Sequence, residues 1–224
     1  MKYRCVIFDC DGTLLDTLED IAAAMNQALI LHSFPPVPLV KYRDIVGWGI
    51  IRLAALALPE EARTDENIQA VGTCAQRLMD EQPVEKYLSK PYPGIKELLA
   101  ELSGSRQAKK VSTAVISNKP DSVLCRLIDE LFGPRAFTAV YGLRPGVPAK
   151  PDPQAVWELL AEIDRVPGDT IFVGDSEIDM ETARNSGCYP LGVSWGFRSR
   201  STLEAAGAAR IIDRPEELWE LIGK

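Results

Sequence analysis

Short apolar runs recur along the chain at residues 4–8, 111–116, 137–141, 170–173, 191–194 and 210–212, each ending in small or polar residues. Between most of them the apolar positions change to helical spacing, at residues 95–102, 122–131, 153–163, 178–186 and 216–222. Strand–helix alternation of this kind predicts an α/β fold, a doubly wound and mainly parallel sheet with helices on both faces. Ligands of such sheets bind beyond the carboxyl ends of the strands.

One segment breaks the alternation. Residues 16–90 show no convincing strand, only helical stretches at 18–31, 39–45, 49–58 and 65–82, punctuated by Pro35, Pro36, Pro38, Pro59 and Pro83. The pattern predicts an all-helical domain over residues 16–90, inserted into an α/β core made of residues 1–15 and 91–224. Both ends of the insert fall near Asp11 and Gly94, so it can close over whatever lies at the tip of the first strand.

At 224 residues and 46% hydrophobic, the chain can bury the core this requires. The net charge of −7 argues against a nucleic-acid or anionic-membrane partner, since both need a basic face. An anionic substrate would have to be attracted locally. No apolar run reaches the ~18 residues of a membrane span, and the first residues lead straight into a strand with no signal peptide. Cys5, Cys10, Cys74, Cys125 and Cys188 are odd in number, widely spaced and form no C-x-x-C. They read as reduced thiols of a cytoplasmic protein. Cys10 reads as a small side chain pointing into the core.

Candidate chemistry sits at the strand ends. Asp9-Cys10-Asp11-Gly12-Thr13 follows the first apolar run. Two carboxylates there suffer desolvation and mutual repulsion, and a divalent cation relieves both. Ser117-Asn118-Lys119 follows the second run, and its polar groups at a helix start suit either phosphate oxygens or an ordinary N-cap. Lys150 precedes Pro151, which holds it extended; it is either a point charge for phosphate or an exposed loop lysine. Gly174-Asp175 through Asp179 is a second acidic cluster at a strand tip. Its hard oxygens match Mg2+, though acidic residues also stabilise helix starts. Asp179 lies one helical turn past Asp175.

These four segments, in this order and over essentially the whole chain, resemble the haloacid dehalogenase superfamily of phosphohydrolases. An Asp at position 11 is similar to the phosphatase and phosphomutase branches. The segment 9–29, Val46-Gly47-Trp48-Gly49, residues 192–197 and residues 212–218 resemble the phosphoglycolate phosphatase group, whose helical cap stands where residues 16–90 stand here. The chain departs from that group at residues 31–36, where a Gly before the prolines is missing.

The resemblance implies a two-step hydrolysis of a small phosphorylated metabolite. Asp9 is the nucleophile, Asp11 the general acid and base, and Mg2+ is held by Asp9, Asp11 (through its carbonyl) and Asp175. Lys150, Ser117, Asn118 and Gly12 bind the phosphate, and Asp179 orients Lys150 or a metal-bound water. In the cap, Gly47 and Gly49 let backbone approach the ligand, and Arg52 is either a partner for a substrate carboxylate or an exposed helix residue. His32 reads as a loop residue, and Trp48 and Trp195 as packing. The same motifs also fit a phosphosugar mutase, a pyrophosphatase or a non-catalytic phosphate-binding protein. The chain is expected to be a monomer or a homodimer.

Overall fold

The computed structural model describes residues 3–104 and 111–222. The expected core segments extend past these limits at residues 1–2, 105–110 and 223–224, which lie outside the described residues.

Strand β1 (Cys5–Phe8) is the centre of a six-stranded parallel sheet. Its neighbours are β4 (Ser112–Pro120) and β6 (Thr170–Gly174). Outside β4 lies β5 (Ala139–Leu143), and outside β6 lie β7 (Tyr189–Val193) and β8 (Arg210–Ile212), giving the order β5-β4-β1-β6-β7-β8. All four residues of β1 are buried, because both faces of the sheet are covered. Alternation divides them. Val6 and Phe8 join one apolar cluster with Val115 and Val173, and Cys5 and Ile7 join the other with Ala114 and Phe172. The faces carry helices α5 (Ile95–Gly104), α6 (Asp121–Phe132), α7 (Gln154–Glu162), α8 (Glu177–Ser186), α9 (Arg200–Ala205) and α10 (Trp219–Ile222).

The strand register brings the polar tips together. Phe8 lies opposite Val115 on one side and Val173 on the other. Asp9 and Asp175 therefore emerge within one residue of the same level, beside Ser117 of β4. They do so at β1, where the strand order reverses direction, the place where open α/β sheets bind ligands.

Between β1 and β4 the chain leaves the sheet. Helices α1 (Leu18–Leu31), α2 (Leu39–Ile45), α3 (Ile50–Ala57) and α4 (Asp65–Glu81) follow one another and pack together through Met25, Leu53, Ala54 and Ala75. Helices α1 and α2 match the pattern read from the sequence to the residue.

Three expectations change. Residues 16–90 are not free of strand at their ends. A two-residue antiparallel ribbon, β2 (Leu15–Asp16) with β3 (Lys90–Pro91), joins the insert to the core. Two residues are too few to show a period of two. Ser117, Asn118 and Lys119 do not start a helix but extend β4, whose pairing with β5 shifts register between Ile116 and Pro120. The helical pattern at 216–222 is a 3-10 turn, Pro215–Leu218, running into α10.

Candidate active site

Asp9, Asp175 and Asp179 converge at the carboxyl ends of β1 and β6 and offer oxygens within 4.8 Å of one another, all three residues buried. Lys150 enters from the loop before α7. Its Nζ lies 2.7 Å from Asp179 Oδ1 and 2.8 Å from Asp9 Oδ1. The Asp9 contact is off the direction of a good hydrogen bond, and Asp9 Oδ1 is buried without a hydrogen-bond partner.

Asp179 holds Lys150 and also builds the start of α8. Its Oδ2 accepts from the Ser176 amide (3.1 Å) and hydroxyl (2.6 Å), while Ser176 Oγ accepts from the Asp179 amide. This reciprocal cap fixes the carboxylate in place. The two oxygens of Asp179 are divided between the helix start and Lys150.

Asp175 accepts from the Phe197 amide at 2.7 Å and from Thr13 Oγ1 at 3.3 Å. Gly12 makes this packing possible. Its φ is +87°, and a Cβ there would sit 2.4 Å from Asp175 Oδ2. The Gly12 amide donates to Leu15 O at 2.8 Å, so the expected phosphate contact by that N–H is not available. Gly12 serves close approach instead.

The side chain of Asn118 is tied to backbone groups. Its Nδ2 donates to Gly47 O (3.0 Å) and Lys150 O (3.1 Å), and its Oδ1 accepts from the Lys150 amide (2.8 Å). No side-chain donor is left for a phosphate. The residue instead fixes the Lys150 backbone and ties it to the insert. Ser117 does line the cavity beside Asp9 and Asp11, with its Oγ accepting from the Lys119 amide at 3.3 Å.

The insert supplies the cavity's other wall, including Gly47, Gly49, Ile50 and Met79. Gly49 has φ +86° and brings the start of α3 against the Asn118 carbonyl. Arg52 is exposed and is not among the cavity residues. Helix α3 buries Ile50, Leu53, Ala54 and Ala57, so position 52 lies on its opposite face.

Two residues were missed from the sequence. Lys119 Nζ lies 3.0 Å from Asp11 Oδ1 and is almost fully buried. Arg198 donates through Nε to Glu177 (3.0 Å), through Nη2 to Val46 O (2.8 Å) and through Nη1 to Arg43 O. It thus clamps the end of α2 and the loop before Gly47 onto the core. Cys10 is buried as expected, and burial holds its thiol well above its ordinary pKa. Trp195 packs and donates to Thr13 O at 3.0 Å; His32 and Trp48 lie at exposed positions.

The electrostatics call for a cation. Among the described residues Asp9, Asp11 and Asp179 pair with Lys119 and Lys150, and Arg198, itself paired with Glu177, acts on Asp175, so the carboxylates outnumber the cations that face them. Burial pushes Asp9 up to about 7; Lys150 opposes the rise, while Asp179 and Asp11 add to it. Burial, then Asp179 and Asp9, hold Asp175 well above the usual carboxylate range. Burial disfavours the Lys150 ammonium, yet Asp179 and Asp9 outweigh it and raise its pKa. The oxygen-only donor set of Asp9, Asp175 and Asp179 fits a hard cation such as Mg2+.

This charge balance makes stability depend on pH. Asp9 ionises at 3.8 in an unfolded chain and near 7 in the folded site. Between those values the folded protein holds a proton that the unfolded chain has lost, so stability falls as pH rises through that window. The Tm of EDTA-treated protein should drop between about pH 5 and about pH 7.5, and Mg2+ should restore it at the higher pH. A Tm indifferent to both would contradict a charge-deficient site.

The family model for haloacid dehalogenase-like hydrolases matches residues 6–193, from β1 to the end of β7 and across every residue of this cluster. The chain belongs to this family. Its relatives include the phosphoglycolate phosphatase of Vibrio cholerae, 31% identical over 98% of this chain and 96% of that one. The N-acetylmuramic acid 6-phosphate phosphatase of Pseudomonas aeruginosa is 29% identical over 100% and 96%. A solved structure from Lactobacillus delbrueckii subsp. bulgaricus, provisionally assigned as a phosphoglycolate phosphatase, superposes with a TM-score of 0.88 at 31% identity over the whole of both chains. A haloacid dehalogenase-like hydrolase from Streptococcus pneumoniae shares the fold, with a TM-score of 0.81 at 23% identity and 98% coverage of each.

Proposed function

We propose that this chain is a Mg2+-dependent phosphatase that hydrolyses a small phosphomonoester, 2-phosphoglycolate, through a phosphorylated Asp9. The observation that carries the reading is the Asp9 carboxylate: buried, short of partners, and set between the Lys150 ammonium and a second carboxylate suited to share a cation. The family relatives named for phosphoglycolate phosphatase support the substrate.

In the first step an Asp9 oxygen bonds to phosphorus as the ester P–O bond breaks, and Asp11 gives a proton to the leaving oxygen. In the second, Asp11 takes a proton from the water that attacks the acyl phosphate, and inorganic phosphate leaves. Lys150 offsets the charge that builds on the phosphoryl oxygens, and Ser117 donates to one of them. Asp179 and Asn118 hold Lys150 by its two ends. Mg2+, held by Asp9, Asp175 and the Asp11 carbonyl, would shield the nucleophile from the dianionic ester.

In this reading residues 16–90 act as the cap, excluding water and selecting the leaving group. The Arg198 and Asn118 bonds to the carbonyls of Arg43, Val46 and Gly47 tie this part of the insert to the core. A cytoplasmic location suits five cysteines that form no disulfide. Among the described residues no helix is long and apolar enough to cross a membrane.

The test is phosphate release from a panel holding 2-phosphoglycolate, N-acetylmuramic acid 6-phosphate, pyrophosphate and a hexose phosphate, with Mg2+ and with EDTA. The expected result is Mg2+-dependent release, fastest from 2-phosphoglycolate. Isomerisation of the hexose phosphate without release would point to a mutase, and no turnover at all to a binding protein.

A further inference from the structure

We propose that Lys119 is the residue that selects the leaving group, by pairing with a carboxylate carried next to the ester oxygen. The inference rests on the phosphatase reading and narrows it to phosphorylated small carboxylic acids.

Lys119 is the one cation among the described residues that line the cavity. Lys150 is held between Asp9 and Asp179, Arg198 is committed to Glu177 and two carbonyls, and Arg52 faces outward. The Lys119 ammonium has one hydrogen-bond partner among the described residues, Asp11, at 3.0 and 3.4 Å. An ammonium carries three donors, so it can serve a second anion while keeping Asp11.

Its position fits that use. Asp11 is the group that meets the leaving oxygen, so the neighbouring ammonium reaches the atoms one carbon beyond that oxygen. The facing wall presents the apolar side chains of Ile50, Leu53 and Met79, so Lys119 is the charged donor nearest to a carboxylate placed there. The wall also excludes water, which strengthens an ion pair formed against it.

The test uses two phosphonates that cannot be hydrolysed, measured by calorimetry with Mg2+. One, 3-phosphonopropionate, carries the carboxylate; the other, propylphosphonate, ends in a methyl group. The wild-type protein should bind the first at least about tenfold tighter, the worth of one charge-assisted hydrogen bond. Lys119→Met should erase the ratio, and Lys119→Arg should keep part of it. Lys119→Met should also lose at least about tenfold more kcat/KM toward 2-phosphoglycolate than toward ethyl phosphate. Equal wild-type affinities, or equal losses on both esters, would overturn the assignment and reduce Lys119 to a holder of Asp11. The wild-type ratio decides even if the variant fails to fold. Absence of phosphate release from any ester would instead defeat the phosphatase reading itself.

Discussion

Asp9→Asn should lower kcat by at least about 1,000-fold while leaving the protein folded. The substitution keeps the shape of the side chain and removes the attacking oxygen's charge, so no acyl phosphate can form. A structural role would predict the opposite balance, with lost stability and partial activity. Here the loss of charge relieves the site. Burial is the largest influence on Asp9 and opposes its ionised form, and Lys150 keeps the nearer Asp179 at 2.7 Å. The Tm of the metal-free variant should therefore equal or exceed that of the metal-free wild type near pH 7.5, and the benefit of added Mg2+ should shrink. Activity above a few per cent would remove Asp9 from the chemistry.

Lys150→Met should act on both stability and turnover. Among the described residues its ammonium is the only cation within bonding distance of Asp9 and Asp179, and Asp175 stands beside them. Removing one partner of a buried ionic cluster leaves uncompensated charge and costs about 3–5 kcal/mol. For a chain of this size that corresponds to a Tm lowered by roughly 10 °C. The loss should be largest near neutral pH and smaller toward about pH 5, because the stranded carboxylates take up protons there. Turnover should fall at least about 100-fold, as a charge aimed at the transition state is lost. Thermal unfolding of the two proteins across pH checks this, and a Tm that does not move would show that Lys150 holds no buried charge.

Much of this site was legible from the chain because its residues sit where pattern changes. Asp9 and Asp175 are acidic positions just past apolar runs, and an unexplained charge at a strand tip is conspicuous without coordinates, whereas Lys150 and Asp179 stood out through the motif order. The helices of the insert were legible for a related reason: prolines mark their limits, and residues 18–31 carry an uninterrupted helical pattern.

What escaped has a common cause. Arg198 acts on the carbonyls of Arg43 and Val46, and Asn118 on those of Gly47 and Lys150. Backbone acceptors leave no mark on a sequence, so a side chain that serves them looks like any loop residue. Lys119 was hidden by its neighbours Ser117 and Asn118, which looked like the better phosphate ligands. Arg52 could have been set aside earlier, since the apolar positions 50, 53, 54 and 57 already turn residue 52 away from the core. The Gly12 amide shows a further limit: glycine at a strand tip is equally expected for donating to an anion and for letting a carboxylate pack close, and only the bond to Leu15 O and the contact with Asp175 decide.

The most direct measurement is to quench the working enzyme in acid within milliseconds of adding phosphate-labelled 2-phosphoglycolate and Mg2+, then map the label by peptide mass spectrometry. Label on Asp9, absent from Asp9→Asn and unchanged in position in Asp179→Asn, is the predicted result. Phosphate released at full rate with no label on the protein, or label on any other residue, would contradict the account.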